Sequence, residues 1–398
     1  MNQSTSASVY MDNHATTRVD PRVLEAMLPF FLDQYGNAGS IGYQLGEDAK
    51  AAVQIAREEI ADAIGADSRE IVFTSGATES NNLAIRGVAE QKRRRGDHFV
   101  SVLTEHKSVL EPLARLARHG SQVTLLDVEP FESPRAGWLD PQRVADALRK
   151  DTALVSVMLA NNEIGVIQPL TEIAEICHRH GALLHCDATQ AIGKLPVDVR
   201  QIGVDLVSFS AHKVYGPKGI GALYVRRSKP VVRLEPQIIG GGQQEGRRSG
   251  TLNTPGIVGF AKALKLCLAE LPTEPERLAN LRNRLWDGLC RQLGQQLRLC
   301  GPSLDSSRLP GNLNLALGDV DGEALLMTLK GLAISSGATC ASTEPGPSHV
   351  LLALGMDDDL ARSSLRFGLG RFNTEEDVDF AIGAIAEAAA ELRKLGPG

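Results

Sequence analysis

Short apolar segments alternate with helical segments through the first two-thirds of the 398-residue chain. These segments are continuously apolar and do not alternate in polarity, which is typical of strands buried on both faces. Helices between such strands provide the crossovers of a parallel sheet. The pattern therefore predicts an α/β fold with a mostly parallel sheet covered by helices. The predicted strands span residues 70–73, 98–103, 123–126, 153–158, 182–186, 205–209 and 222–225.

The composition indicates a folded, soluble protein. Hydrophobic residues make up 43% of the chain and charged residues 23%, with a formal net charge of −6. An acidic balance argues against direct nucleic-acid binding. No apolar run reaches the roughly 20 residues of a membrane span, and the first residues have no apolar core. Six cysteines are too few for a disulfide scaffold. These features predict a cytoplasmic protein without a membrane partner.

The pattern changes after Phe260. Helical segments at 261–271 and 277–293, a strand at 313–316 and a closing helix from Glu375 indicate a smaller α+β unit. Pro272 and Pro275 are interpreted as the joint between the two units. The predicted organisation is a large α/β domain over 15–260 and a small α+β domain over 1–14 and 261–398.

Lys213 is a candidate nucleophile. It follows the predicted strand 205–209 and lies among Ser, His and Gly residues in the segment 210–221. Open α/β sheets bind ligands beyond the carboxyl ends of their strands. Partial desolvation there lowers an amine pKa and favours Schiff-base formation. On local context alone, a solvated surface lysine is the alternative.

A second candidate is the segment 74–82, where a strand turns through Gly76 into a helix. The free N–H groups of a first helical turn bind anions, and the Thr78 hydroxyl adds a donor. The segment indicates a phosphate site. An ordinary capped helix, with Glu79 at its positive end, explains the same residues equally well.

Asp187 and His106 also follow predicted strands. An unpaired carboxylate at the end of a buried strand is costly, so Asp187 needs a cationic partner. The protonated nitrogen of a pyridine-type cofactor is one such partner, whereas a helix N-cap is the alternative role. His106 is suited to stacking on a planar ring or moving protons near neutral pH. A polar loop residue is its alternative role.

A cluster of His and Cys residues suggests a metal site but does not have suitable geometry. His178 points away from the helix face that carries Cys177 and His180, and His185 and Cys186 face opposite sides of a strand. Four ligands cannot easily converge from these positions. We therefore expect no metal there.

Cys340 differs from the other cysteines. It lies in the segment 335–347, which is small, polar and punctuated by Gly and Pro, so we expect an exposed loop. Four of the other cysteines lie within apolar patterns that fit burial. An accessible thiol is a candidate nucleophile or sulfur carrier.

These segments, in this order, resemble the cysteine desulfurases, which are pyridoxal 5'-phosphate (PLP) enzymes with the class-V aminotransferase fold. The resemblance covers nearly the whole chain, and its specificity lies in the joint occurrence of the motifs. It implies a seven-stranded large-domain sheet and a catalytic-cysteine loop in the small domain. The matching motifs are MDNHATT at 11–17, SGATESNN at 75–82, EHK at 105–107, NNEIG at 161–165, DATQ at 187–190, SAHKVYGPKGIG at 210–221, RSGT at 248–251, SSGATC at 335–340 and SLRF at 364–367.

The resemblance implies roles for residues around the cofactor ring. Lys213 would bind PLP covalently, and Asp187 would pair with the ring nitrogen. Gln190 would bond the ring hydroxyl, and His106 would stack on the ring and act in catalysis. Asn162 would lie beside both cofactor and substrate.

The resemblance also implies residues that bind anionic groups. Arg366 and Asn37 would bind the substrate carboxylate, for which a bidentate guanidinium is well suited. The phosphate would be bound by Ala77 through its backbone, Thr78, Ser210 and His212, with Thr251 supplied by the second subunit of a homodimer.

The implied reaction converts L-cysteine to L-alanine and leaves a persulfide on Cys340. Lys213 removes the α-proton, Cys340 attacks the substrate sulfur, and a sulfur-acceptor protein collects the product. The enzyme would supply this sulfur to iron–sulfur assembly, to thiolation of tRNA or cofactors, or to DNA phosphorothioation. The sequence leaves open whether Cys340 also ligates an iron–sulfur cluster.

Three features depart from the family pattern. Tyr43 stands where a histidine is usual, and Ala338 and Thr339 precede Cys340 where Ser-Ala is more familiar. The chain stops directly after its final helix, where members that load iron–sulfur scaffolds often carry a further tail. The alternatives are an aminotransferase or lyase of the same fold, such as a kynureninase-like or selenocysteine-processing enzyme, and a non-catalytic scaffold or regulator.

Overall fold

The computed structural model describes residues 8–91, 96–228, 231–318, 320–336 and 346–395. The described strands are β1 (Val9–Tyr10), β2 (Ile71–Thr74), β3 (His98–Val102), β4 (Gln122–Leu126), β5 (Thr152–Ser156), β6 (Leu183–Asp187), β7 (Leu206–Ser210), β8 (Gly221–Val225), β9 (Leu297–Leu299), β10 (Asn312–Leu317), β11 (Leu332–Ala333), β12 (Ser335–Ser336) and β13 (Ser364–Gly368).

Helices cover the strands or connect them. They are α1 (Pro21–Met27), α2 (Pro29–Leu32), α3 (Gln44–Asp62), α4 (Ala77–Ala89), α5 (Lys107–Arg118), α6 (Pro141–Ala147), α7 (Leu170–His180), α8 (Val199–Ile202), α9 (Thr254–Glu270), α10 (Glu274–Leu293), α11 (Gly322–Thr328), α12 (His349–Ala353), α13 (Asp358–Arg362) and α14 (Glu375–Leu395). Within the described ranges, none combines the length and apolarity that a membrane crossing requires.

The central sheet has seven strands in the order β2-β8-β7-β6-β5-β3-β4. Only β8 runs against its neighbours, and the other six strands point the same way. Every residue of β2, β3, β5, β6, β7 and β8 is buried, as the continuously apolar segments predicted. The α/β prediction is therefore confirmed, and the carboxyl ends of six strands meet at one edge of the sheet.

A second, antiparallel sheet has the order β12-β13-β10-β9. It packs with α10 and α14 around a separate apolar core that includes Leu285, Leu315, Phe367 and Ile385. Met11, near the start of the chain, is buried in the same core. This part of the chain thus has the α+β character expected from its sequence, while the domain boundaries stay a prediction.

Two helix starts differ from the sequence predictions. The helix predicted from Ala261 begins at Thr254, because Asn253 caps it by accepting from the Gly256 N–H over 3.0 Å. The helix predicted from residue 277 begins at Glu274. Pro275 lies in its first turn, where a missing N–H costs no hydrogen bond. This proline therefore starts α10 just after the turn that follows α9, and the joint between two domains at this place stays a prediction.

Candidate active site

A cavity of about 710 Å³ opens at the carboxyl edge of the central sheet. The ends of β2, β3, β5, β6 and β7, and the segments that follow them, supply side chains to it, which places residues distant in sequence beside one another. Its lining residues include His14, Gly76, Ala77, Thr78, Glu79, His106, Ser108, Asn162, Asp187, Thr189, Gln190, Ser210, His212, Lys213 and Arg366.

Lys213 lies in the short turn that follows β7. Its Nζ donates to the backbone carbonyls of Ala15, over 2.7 Å, and His14. Burial, together with the charges of Lys194 and Arg366, lowers the pKa of Lys213 to about 7. A substantial fraction of this amine is therefore neutral and nucleophilic near neutral pH.

Asp187 is the last residue of β6, and only 6% of it is exposed. Its Oδ2 accepts from the side-chain amide of Asn81 over 2.8 Å, and its Oδ1 accepts from the Thr189 N–H over 2.9 Å. Within the described part of the chain, no basic side chain forms an ion pair with it. A buried carboxylate that faces a cavity in this way can hold a cationic ligand group.

His106 caps α5 and presents its imidazole to the cavity. Its Nδ1 accepts from the Ser108 N–H over 3.1 Å and lies 2.8 Å from the Ser108 hydroxyl. Desolvation is the main cause that lowers the pKa of His106. The ring is therefore neutral near pH 7, and it can stack on a planar group or accept a proton.

The first turn of α4 forms an anion site. Gly76 precedes this helix without any side-chain cap, so the N–H groups at Ala77 and Thr78 face the cavity. Glu79 bends back to accept from the Ser75 N–H over 2.7 Å, and Arg248 pairs with it at 2.8 Å. Because the glutamate charge is compensated, the helix start remains attractive to a phosphate.

Ser210 and His212 complete this side of the cavity. Ser210 ends β7 and is buried. The Nδ1 of His212 lies 3.1 Å from the Thr16 hydroxyl, and burial lowers the pKa of His212 to about 4. Both side chains are thus neutral hydrogen-bonding groups beside the start of α4, which fits the recognition of a phosphate.

Arg366 occupies the opposite wall. One terminal nitrogen donates to Asp12 Oδ1 over 2.9 Å and to the Ser335 hydroxyl over 3.0 Å. The other donates to the Asn162 carbonyl over 3.4 Å. The buried Nε has no hydrogen-bond partner. The guanidinium is therefore held in a fixed orientation by three hydrogen bonds, and as a cation lining the cavity it can attract a carboxylate.

Two predicted site residues do not line the cavity of the same chain. Asn37 is exposed, and its side-chain oxygen accepts from the Gly39 N–H over 2.9 Å. Thr251 is also exposed. Cys340 lies outside the described residues. The roles of these three residues stay predictions.

Several polar residues support the site although the sequence assigned them no role. Asn81 bonds both Asp187 and, over 2.8 Å, the Ser108 hydroxyl. Asp12 orients Arg366, and the His14 carbonyl accepts from Lys213. The sequence does not show that these polar side chains are buried. Their burial would have indicated these contacts, because polar side chains in an apolar interior are almost always hydrogen-bonded.

The His and Cys residues considered for metal binding bond elsewhere. His178 pairs with Asp205 at 3.2 Å, and His185 lies between two serine hydroxyls. Burial raises the pKa of Cys177 to about 12, so its thiol is a poor ligand. Among the described residues, no three His, Cys, Asp or Glu side chains gather into a metal-binding group.

A family model for aminotransferase class-V matches residues 9–380 of this chain. The cysteine desulfurase IscS of Anaeromyxobacter dehalogenans is 54% identical over 389 residues, which cover 98% of this chain and 94% of that protein. The chain belongs to the cysteine desulfurase family of class-V aminotransferases. The resemblance found in the sequence is thereby confirmed.

Solved structures agree with this family membership. A NifS-like protein superposes with a TM-score of 0.88 at 38% identity, over 97% of this chain and all of that one. SspA in complex with cysteine superposes with a TM-score of 0.78 at 35% identity, over 92% of this chain and 99% of that one. The chain therefore shares its fold with the solved structure of a NifS-like protein.

Members of this family depend on PLP, and the cavity of this desulfurase fits that cofactor. A low-pKa amine, a buried carboxylate and an uncapped helix start match the aldehyde, the ring nitrogen and the phosphate of PLP. Thr189 also lines the cavity, and its buried hydroxyl has no hydrogen-bond partner among the described residues. The donors and acceptors present thus suit a phosphorylated pyridine.

Proposed function

We propose that this enzyme is a PLP-dependent cysteine desulfurase that converts L-cysteine to L-alanine and leaves the substrate sulfur as a persulfide on Cys340. The observation that carries this proposal is a single cavity lined by Lys213, whose amine has a lowered pKa, by Asp187 and by Arg366. These groups can bind both an aldehyde cofactor and an amino-acid carboxylate.

In this proposal, the residues around the ring hold PLP from three directions. Lys213 would bind it covalently, Asp187 would pair with the ring nitrogen, and Gln190 would donate to the ring hydroxyl. His106 would cover the ring face. The phosphate would lie at the start of α4, bonded by Ala77, Thr78, Ser210 and His212.

The chain's own residues then position the substrate and move its proton. Arg366 binds the carboxylate of L-cysteine, beside Asn162. Lys213, neutral in part near pH 7, accepts the α-proton. PLP, when bound, supplies the conjugated electron sink for the electron pair that the proton leaves behind.

Sulfur transfer requires a thiolate. The Cys340 thiol loses its proton to His106, whose lowered pKa leaves the imidazole neutral. The Cys340 thiolate attacks the substrate sulfur, the carbon–sulfur bond breaks, and the carbon gains protons to become L-alanine. The reaction balances as L-cysteine plus thiol giving L-alanine plus persulfide, without an external oxidant.

The assembly and the acceptor belong to the same proposal. Apolar side chains on and beside α1–α3 are exposed in the single chain, which supports a homodimer with Thr251 reaching the partner's phosphate site. We further propose a cytoplasmic location and a thiol-bearing acceptor protein that takes sulfur from Cys340. The exposed side chains are Leu24, Leu28, Phe31, Leu32, Tyr35, Ile41 and Tyr43.

The test uses L-cysteine labelled with ³⁵S and measures alanine, free sulfide and protein-bound label. Cys340→Ala should retain the visible absorption of bound PLP but form neither labelled persulfide nor alanine. Cys290→Ala, which alters a partly buried thiol of α10, should behave like the unchanged enzyme. Keto-acid formation from cysteine by both variants would instead identify an aminotransferase.

A further inference from the structure

Lys194 lies next to the proposed cofactor residues but has no role so far. It lies four residues after Gln190 in the turns that follow β6, and its Nζ donates to Gln190 Oε1 over 3.0 Å. No carboxylate pairs with it among the described residues. Its side chain is partly buried, and burial lowers the pKa of Lys194 to about 8. An unpaired ammonium in such a place is costly, which points to a function.

The backbone around Lys194 is fixed by close packing. Gly193 has a positive φ of 70°, and a Cβ there would lie 2.9 Å from Val214 Cγ1 and 3.0 Å from Cys267 Cβ. The Lys194 N–H also donates to the Ala191 carbonyl over 3.0 Å. The backbone of this turn is therefore closely packed, and the hydrogen bond to Gln190 holds the Lys194 ammonium in place.

An ammonium only donates hydrogen bonds, and this decides the orientation of the Gln190 amide. Its oxygen must face Lys194, and the same oxygen accepts from His14 Nδ1 over 3.1 Å. Its nitrogen donates to the His14 carbonyl over 2.9 Å. That carbonyl also accepts from Lys213, so hydrogen bonds connect Lys194 to Lys213 through Gln190 and His14.

Charge acts along the same path. After burial, the positive charge of Lys194 is the largest cause of the lowered pKa of Lys213. Arg366 acts in the same direction, whereas the carboxylates of Asp12 and Asp187 oppose it. The neutral His14 and His212 add no charge. On its other side, Lys194 faces a small cavity of about 30 Å³ that is also lined by the titratable or charged groups Tyr215, Cys267, Glu270, Glu274 and Arg371.

We propose that Lys194 is a positioning residue, which holds the oxygen of the Gln190 amide so that an N–H group of this amide stays available to the cofactor, at the far end of a hydrogen-bonded path to Lys213. This deepens the proposed function and rests on it. Without Lys194, the Gln190 amide keeps its contacts to His14 but loses one of the two donors that hold its oxygen away from the ring hydroxyl. Lys213 would then also lose a neighbouring positive charge and become more basic.

The test compares Lys194→Met and Lys194→Arg with the control Lys265→Met, which changes an exposed lysine paired with Glu59. Competitive acetylation of the full-length apoenzyme, read by mass spectrometry across pH, gives the pKa of Lys213 without any turnover. Lys194→Met should raise that pKa by about one unit, because a like charge has been removed. Lys194→Arg and Lys265→Met should leave it within the error of the measurement.

A second measurement follows the visible absorption of the PLP-loaded enzymes across pH. Lys194→Met should shift the titration of the band, whereas the arginine variant should restore it. Unchanged Lys213 titration and an unchanged band in a Lys194→Met protein with a native melting curve would overturn the proposal. If that variant does not fold, Lys194→Gln provides the same neutral comparison. A wild-type chain that binds no PLP covalently would instead refute the proposed function.

Discussion

Asn81 donates to Asp187 over 2.8 Å and, from the same amide nitrogen, to the Ser108 hydroxyl over 2.8 Å. The Ser108 hydroxyl in turn lies 2.8 Å from His106 Nδ1. The residue expected to pair with the ring nitrogen and the residue expected to cover the ring are thus joined through one buried asparagine on α4. The relative position of Asp187 and His106 depends on this connection.

Replacing Asn81 should therefore weaken cofactor binding. In Asn81→Ala, Asp187 Oδ2 loses its donor, at a cost of about 1–3 kcal/mol for a buried polar group. We expect PLP affinity, measured by equilibrium dialysis, to fall about 5- to 100-fold. Asn82→Ala is the matched control, because its amide bonds only the helix carbonyl of Thr78. Equal affinities for the two variants would show that Asp187 needs no support from Asn81.

The lowered pKa of Lys213 predicts the pH dependence of cofactor loading. Only the neutral amine condenses with an aldehyde, and the neutral form predominates above the pKa of about 7. The rate constant for PLP addition to the apoenzyme should rise with pH and level off above about 8. Stopped-flow absorbance would measure this. A rate that keeps rising toward pH 10 would mean that Lys213 has the pKa of an ordinary surface lysine.

Arg366 should control substrate affinity more than cofactor binding. Lysine at this position keeps the charge but loses the planar pair of donors. Arg366→Lys should raise KM for L-cysteine about 10- to 100-fold, the value of one or two charged hydrogen bonds. The PLP absorption band should remain. Arg284→Lys, which changes an exposed arginine paired with Asp379, serves as the control. An unaltered KM in Arg366→Lys would show that Arg366 does not bind the substrate.

Gly221 should be intolerant of a side chain. A Cβ at this position would lie 2.7 Å from the Cα of Gly76, the residue that begins the phosphate turn. Gly221→Ala should displace that turn, destabilise the fold by about 1–3 kcal/mol and weaken PLP binding. Gly383→Ala, in α14 with open space around it, should be neutral or stabilising by up to about 1 kcal/mol. Urea unfolding of both variants tests the contrast.

The sequence predicted those parts of the site that follow from strand order. Lys213 and Asp187 follow strands of one parallel sheet, so their strand ends had to meet at the same edge. By contrast, Asp12 and Arg366 are 354 positions apart, and no local pattern relates them. In the sequence, Lys194 resembled any charged surface residue. It lies in a turn packed around Gly193, and a turn has no periodic pattern that would reveal its location.

Helix boundaries were predicted less well, for a related reason. The apolar periodicity of α9 becomes clear only near Ala261, but its start depends on one hydrogen bond between Asn253 and Gly256. Asn37, Thr251 and Cys340 remain predictions from the resemblance alone. Thr251 was expected to act in the partner subunit, which a single chain cannot contain.

The antiparallel strand β8 has a consequence for how this enzyme can vary. Ser210 and Gly221 are directly paired across β7 and β8, so the segment 211–220 that bears Lys213 is a closed loop with both ends held in the sheet. The Lys213 amine on such a short loop samples little space. Its reaction with an aldehyde bound in the cavity is therefore close to an intramolecular reaction. Insertions or deletions between these two strands would move the amine out of register. Diversification of substrate and sulfur acceptor must therefore come from other segments.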